Sequence, residues 1–506
     1  MEMRHDVVER GLRRWIIVLG VMLAPLMETI DSSIVNVALP TIQGNLGATL
    51  DEAAWVITGY LIANVIVIPL TPWLQTRFGR RQYFTATVIG FTAASVLCGL
   101  AGSIEALIVL RLVQGLFGGG LIATAQATLR DTFTPQETGL AQGIFAVIIL
   151  VGPIIAPMLG GYLVDAASWQ WIFFVNVLPG VFSAIVVGTM LRNPTKPVST
   201  DVDAGGIALL VLALGSLQFV LEEGERRDWF GSPSIGIAAA GAAIGGIAFV
   251  LWELFGAKSP IVDLRVLRYR TVAVGGVLAA GIAATLFGTT LVLPQYTQSI
   301  LGFTAFGSGE LIFFRALPIM LIAPVVAGLV GGGRVDVRVT MATGFLLTAL
   351  GSLLLAGATS STTSFEQMLP GLAIGGFGTA MLFIPLLIAV QTATSADDAP
   401  MASSFITLAF QLGGSMASAM LVTLIDRRTD FHADILSAGI TLARPAVRNA
   451  LQLISPQQLA ALVSAQAQTL AFADVAYAAA AIAAVLIPVV FLLQRSQHRI
   501  TEITFE

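Results

Sequence analysis

The chain has 506 residues, of which 56% are hydrophobic and 11% charged, and its formal net charge is -4. Soluble domains carry about 25% charged residues, so a water-soluble fold is excluded and lipid is the natural solvent for the apolar excess. No basic domain or long basic stripe is present, which argues against nucleic-acid binding. The lone cysteine, Cys98, rules out an intrachain disulfide and a cysteine-based metal site.

A membrane-spanning helix needs about 20 mostly apolar residues. Fourteen segments meet that requirement in chain order, roughly 15–39, 53–75, 83–102, 105–128, 138–162, 171–191, 204–222, 235–256, 271–297, 307–329, 340–358, 366–391, 401–424 and 473–493. The seventh and eleventh carry the weakest signal. The first follows several arginines but holds Glu28 and Asp31 and lacks a small-residue cleavage site, so it reads as a span and not a signal core. Barrel strands would be half as long and alternate polar with apolar, which these runs do not.

Loop charges set the orientation. With the N-terminus in the cytoplasm, that side receives 18 of the 26 Lys and Arg. The outer side receives Arg226, Arg227, Arg427, Arg428, Arg444 and Arg448, and Arg111 and Arg315 lie within spans. The positive-inside rule selects this arrangement, and an even number of spans returns both termini to the cytoplasm. The stretch 425–472 is the one long loop, facing outward. Its patterned run from Leu451 to Thr469 reads either as an amphipathic surface helix or as part of a solvated hairpin.

Ionisable residues inside spans are costly and point to function. Among them are Glu28 and Asp31 in the first span, Arg111 in the fourth, and Glu310 and Arg315 in the tenth. His5, His432 and His498 all fall outside, so a proton carrier within the membrane must be a carboxylate. Asp31 lies roughly 24 Å along its span and Arg111 roughly 9 Å below the outer surface, similar depths that allow the two to meet. Glu28 is one turn from Asp31 on nearly the same helix face. Burial disfavours a charged carboxylate and an arginine favours it, so a movement of the arginine would load or release a proton. A static pair that tightens packing is the other reading. Glu310 and Arg315 are about 140° apart around a helix and do not naturally pair. The spans hold no histidine, no metal-ligand cluster and no phosphate-binding loop, against an embedded enzyme. Their few polar groups argue against a continuous aqueous pore.

The run Gly152-Pro153-Ile154-Ile155-Ala156-Pro157-Met158-Leu159-Gly160-Gly161 places two prolines and three glycines in the fifth span. Small residues permit close helix approach, and proline removes a backbone hydrogen bond and allows bending.

These segments resemble the major facilitator superfamily, in its fourteen-span drug:proton antiporter branch of the EmrB/QacA type. Asp31-Ser32-Ser33-Ile34-Val35-Asn36-Val37-Ala38-Leu39-Pro40 resembles the first-helix signature. Arg111-Leu112-Val113-Gln114-Gly115 resembles the fourth-helix motif, and the Gly152 run the antiporter motif, followed by Trp169-Gln170-Trp171-Ile172-Phe173-Phe174-Val175-Asn176. Pro294-Gln295-Tyr296-Thr297-Gln298, Gln411-Leu412-Gly413-Gly414-Ser415 and Leu221-Glu222-Glu223-Gly224-Glu225 extend the likeness along nearly the whole chain, the last toward the EmrB-like subgroup. The loop after the second span keeps Arg77, Gly79, Arg80 and Arg81, but Pro72 and Thr76 replace the usual Gly and Asp, so no gating ion pair is assigned to it. Ala156 replaces an expected glycine and Phe410 a frequent arginine.

The resemblance implies an all-α major facilitator fold: a six-helix bundle at 15–192, two inserted linker helices at 193–260, a second bundle at 261–494 that includes loop 425–472, and cytoplasmic tails at 1–14 and 495–506. It implies a bacterial inner-membrane exporter of hydrophobic or cationic small molecules, driven by the proton gradient without a cofactor, with export of one endogenous metabolite or fatty acid as the alternative. Asp31, Glu28 and Arg111 would couple protons. Glu310, Arg315, Gln114, Asn36, Gln295, Tyr296 and Gln411 would line the substrate cavity, and Gly152, Pro153, Pro157, Gly160 and Gly161 would form the conformational motif. Relatives of the subgroup often work with a periplasmic adaptor of the membrane-fusion type and an outer-membrane channel.

Overall fold

The computed structural model describes residues 11–134, 137–193, 202–257, 260–395, 398–441 and 443–494, so most of both expected tails lies outside it. The first bundle contains α1 (Gly11–Leu46), α2 (Leu50–Phe78), α3 (Arg80–Gly99), α4 (Ile104–Gly118), α5 (Leu121–Thr132), α6 (Thr138–Ala166), α7 (Trp171–Phe174) and α8 (Val177–Met190). The linker pair is α9 (Ala204–Glu223) and α10 (Pro233–Leu251). The second bundle contains α11 (Arg270–Ser299), α12 (Ala305–Gly331), α13 (Val337–Ala358), α14 (Phe365–Ala380), α15 (Phe383–Ala393), α16 (Ala399–Ala438), α17 (Pro445–Leu453) and α18 (Pro456–Val490). No strand occurs among the described residues.

Among the described residues thirteen helical stretches are long and apolar enough to cross a membrane, and the 29-residue α6 occupies the place of the remaining expected span. The fold is all-α with the major facilitator arrangement. Three spans are each made of two helices, α4 with α5, α7 with α8, and α14 with α15. The first of these breaks falls in the Gly118-Gly119-Gly120 run. Much of the outer surface is apolar. On α10 the side chains of Ile237, Ile244 and Ile247 stand exposed, a surface that only lipid can cover.

The stretch 425–472 differs from the expected loop. Helix α16 continues to Ala438 and α18 already begins at Pro456, so both spans project as helices beyond the membrane. The amphipathic piece is α17, Pro445–Leu453, and the run from Leu451 to Thr469 is broken at Ser455, which caps α18 by accepting the Gln458 amide. A serine cap followed by proline starts a new helix more strongly than apolar spacing continues the old one.

Two close approaches position the interior. A Cβ on Gly115 would lie 2.4 Å from the Tyr60 carbonyl oxygen, and one on Gly119 would lie 2.3 Å from that of Asn64. Helices α2 and α4 therefore touch backbone to backbone. Between α2 and α3 the chain turns on the single residue Gly79, at φ +82, which β-carbon-bearing residues rarely adopt.

The apolar core is divided unequally. In the half nearest the start of α1 it runs without interruption through both bundles, from Ile17 and Phe145 to Ile319, Leu386 and Ile406. In the opposite half it splits into one cluster around Ile34, Leu107 and Phe173 and another around Leu293, Leu311 and Phe472. The bundles are thus joined at the first face and separately cored at the opposite one. Gly119→Val is expected to destabilise the purified protein by about 1–3 kcal/mol through overpacking, whereas Gly161→Ala, with no atom within 4 Å of the added carbon, leaves the thermal midpoint unchanged; thermal unfolding in detergent checks both.

Candidate functional site

The close contact of α2 with α4 helps bring polar side chains from five spans into one buried cluster. Arg111, wholly buried, donates from Nη1 to Asp31 Oδ2 at 2.5 Å and to Gln114 Oε1 at 2.7 Å, and from Nε to the Val56 carbonyl at 3.0 Å. Its guanidinium lies 4.1 Å from the centre of the Tyr60 ring, a cation–π contact in a desolvated setting. Asp31 Oδ1 accepts from Gln114 Nε2 at 3.0 Å and from Asn176 Nδ2 at 2.9 Å. Asn176 is oriented in turn by Ser95, which donates to the Phe173 carbonyl. Asp31 is thereby held by three donors, one of them the Arg111 guanidinium, so both of its oxygens are hydrogen-bonded.

Glu28 stands differently one turn away. Its Oε1 accepts from Asn64 Nδ2 at 2.9 Å, and its Oε2 has no partner among the described residues. The Tyr60 hydroxyl, also buried, has none either. A buried acceptor without a donor is costly, and a proton on Oε2 would supply one. The cluster therefore contains one carboxylate with its bonds filled and one with a vacancy.

The run 152–161 lies between the bundles. On α6, a Cβ at Gly152 would lie 2.0 Å from Thr29 Oγ1 and one at Gly160 2.8 Å from Ile34 Cγ1, so both glycines press against α1. Met158 meets Gly309 of α12 and Gly143 meets Pro324, so the same helix packs along the second bundle. Helix α6 is continuous through Pro153 and Pro157.

The remaining expected residues are dispersed. Glu310 is exposed on α12, whereas Arg315 is buried and bonds, among the described residues, to the Leu286 carbonyl at 3.2 Å, Thr290 Oγ1 at 3.3 Å and the Thr285 carbonyl at 3.5 Å. Asn36 and Gln295 are exposed, and Gln411 is half-buried in α16. Tyr296 is buried inside the second bundle, donating to the Ser360 carbonyl at 2.5 Å and to Thr363 Oγ1 at 3.0 Å. It borders a small pocket with Thr289, Met368 and Phe472 that has no charged lining residue among the described residues and is separate from the Asp31 cluster. In the loop after α2, Arg77 lies over the Trp73 ring, and Arg81 donates to the Gly188 carbonyl. Arg80 pairs with Asp131 of α5 at 2.5 Å. An ion pair does exist here, therefore, and it joins two helices of one bundle and not the two bundles. Sequence reasoning missed the acid at 131 because it lies 51 residues away. It also passed over Tyr60, Asn64 and Asn176; the lone amide of Asn64 in an apolar helix was the available signal.

This geometry, a lipid-facing two-bundle fold with Glu28, Asp31 and Arg111 buried together inside the first bundle, fits a membrane transporter. The Major Facilitator Superfamily matches residues 21–418. The multidrug export protein EmrB of Escherichia coli (strain K12) is 32% identical over 438 residues, covering 86% of this chain and 85% of its own. The fatty acid resistance protein FarB of Neisseria gonorrhoeae is 32% identical over 499 residues, covering 95% and 96%. Among solved structures, the human organic anion transporter TETRAN aligns with a TM-score of 0.59 at 14% identity, over 96% of this chain and all of its own, which bears on the fold alone. The chain belongs to the Major Facilitator Superfamily, in its EmrB-like branch. Arg111→Gln is expected to cost roughly 3–5 kcal/mol by leaving Asp31 buried and unpaired, and adding Asp31→Asn to restore much of it; detergent-solubilised thermal unfolding of the single and double variants measures the difference.

Proposed function

We propose that the protein is a proton-coupled antiporter that exports hydrophobic and cationic amphiphiles, and that Glu28 carries the exchanged proton. The observation that carries this reading is the contrast between the two carboxylates of α1: Asp31 is held by Arg111, Gln114 and Asn176, while Glu28 Oε2 is buried without a donor. Asp31 and Arg111 set the local field, and Glu28 loads and unloads. A cationic substrate close to Glu28 would compete with the proton, which makes their occupancies exclusive, the minimum for antiport. Relatives named as multidrug exporters support the substrate class.

The positive-inside rule makes the face at the start of α1 cytoplasmic. The bundles, 15–192 and 261–494 with the linker at 193–260, then meet on the cytoplasmic side and part on the outer side. Rocking about the α6–α12 contact exchanges that state for the inward one. In this arrangement Glu310, Arg315, Gln114, Asn36, Gln295, Tyr296 and Gln411 are the positions to probe for substrate contact, and the helical projection of α16 to α18 faces the compartment where an adaptor of the membrane-fusion type would dock. The cell envelope this implies is a bacterial inner membrane with both termini inside.

A second reading, export of a fatty acid or similar anion by the same antiport, is favoured by Arg315. Among the described residues its partners are carbonyl and hydroxyl oxygens, without a carboxylate, so an anionic headgroup would balance it. The relative named for fatty acid resistance fits this reading.

Everted vesicles loaded with a panel of dyes and fatty acids separate the possibilities. Export driven by a pH gradient, with substrate-induced proton release, is expected for the wild type. Glu28→Gln and Asp31→Asn are expected to fall to the level of vesicles lacking the protein, with substrate–substrate exchange retained in Glu28→Gln. Undiminished uphill export by Glu28→Gln removes that residue from coupling.

A further inference from the structure

The turn between α9 and α10 touches both bundles at the face where their cores part. Toward the first bundle, Thr58 of α2 donates to Glu223 Oε1 at 3.1 Å, Arg226 pairs with Asp51, and Trp55 stacks on Phe219 with ring centres 5.6 Å apart. Toward the second, Gln218 donates to Ser415 Oγ of α16 at 2.8 Å, and Trp229 Nε1 donates to Thr423 Oγ1 at 3.1 Å. Thr423 also donates to Glu225. Asp228 and Trp229 hold φ of 55° and 46°, a left-handed conformation that side-chain-bearing residues keep only when their surroundings impose it.

The three glutamates of this turn are not equivalent. Glu223, almost fully buried, accepts from Thr58, Arg226 and Arg227. Glu225 accepts from Trp229 at 2.6 Å and from Thr423. Among the described residues Glu222 has no arginine partner: its Oε1 accepts from Gln218 Nε2 at 2.8 Å. Gln218 is completely buried, spends its amide hydrogens on Glu222 and Ser415, and leaves its own Oε1 without a donor among the described residues. A carboxylic acid and a primary amide satisfy each other through two bonds, the amide N–H to the acid carbonyl and the acid O–H to the amide oxygen. The missing donor is the one a protonated Glu222 would bring.

We propose that Glu222 is a second protonation site, distinct from the α1 carboxylates, which through Gln218 and Ser415 fastens the linker to α16 when it carries a proton and releases it when ionised. The charged groups around it are Glu223, Glu225, Arg226 and Arg227 on the linker, Asp51 at the start of α2, and Asp426 on α16. Arg226 and Arg227 are engaged by Glu223 and Asp51, so ionised Glu222 faces like charge. Helices α2 and α16 also meet near the first face, where Ser404 donates to the Ile68 carbonyl at 2.6 Å. Rocking therefore changes their separation chiefly at the opposite face, where the linker turn spans them. Proton occupancy at Glu222 then biases how far that face opens. The coupling rests on the reading that transport runs on protons; the protonation site itself does not.

The test uses the full chain in lipid nanodiscs. Infrared titration is expected to show a protonated carboxyl band in the wild type that is lost in Glu222→Gln, displaced in Gln218→Leu and Glu222→Asp, and retained in Glu28→Gln. Spin labels at the outer ends of α9 and α16 are expected to move apart as pH rises, and this pH response is expected to vanish in Ser415→Ala while its carboxyl band persists. An infrared titration unchanged by Glu222→Gln overturns the proposal, as does a label separation that responds to pH equally in the wild type and Ser415→Ala. If the wild type releases no protons with substrate yet the Glu222 band still titrates, proton-driven export fails and the site stands.

Discussion

The structure depends on a charge pair that lipid alone could not tolerate. Asp31 and Arg111 are both fully shielded from solvent, and two separate ions there would cost several kcal/mol each. Every feature around them lowers that cost. Gln114 and Asn176 fill the free lone pairs of Asp31, the Val56 carbonyl takes the Arg111 Nε hydrogen, and the Tyr60 ring faces the guanidinium. These partners come from α2, α4 and the α7–α8 span, so the pair also fixes how four spans of the first bundle are registered.

That registration needs backbone contact. Tyr60 and Asn64 reach the cluster because α2 sits against the glycines of α4 closer than any side chain would allow. The same device recurs where α6 meets α1 at Gly152 and Gly160. Small residues here build the site indirectly, by letting long polar side chains on neighbouring helices reach one another. The contrast between a saturated Asp31 and a Glu28 one donor short then follows from which helix face each occupies: Asp31 turns toward α4 and α7–α8, Glu28 toward Asn64 of α2.

The inserted helices have a comparable logic. A fold of two bundles has a seam, and α9 covers it, packing Leu210 and Leu214 with Ile66 and Leu70 of α2 and with Leu408 and Leu412 of α16.

The sequence by itself determined the solvent, the spans and the scarcity of charge. Apolar runs of span length leave no other reading, and depth along two helices already placed Asp31 level with Arg111. The glycine and proline run was legible as a contact surface because its density exceeds what single helix residues need. Only the tertiary structure decided the partners. Asn64 and Asn176 lie 36 and 145 residues from the carboxylates they contact, and Asp131 lies 51 from Arg80, separations across which spacing says nothing. The donor balance that distinguishes Glu28 from Asp31, and Glu222 from Glu223, is a property of three-dimensional surroundings: the side chains are chemically alike, and what differs is how many hydrogens reach each oxygen.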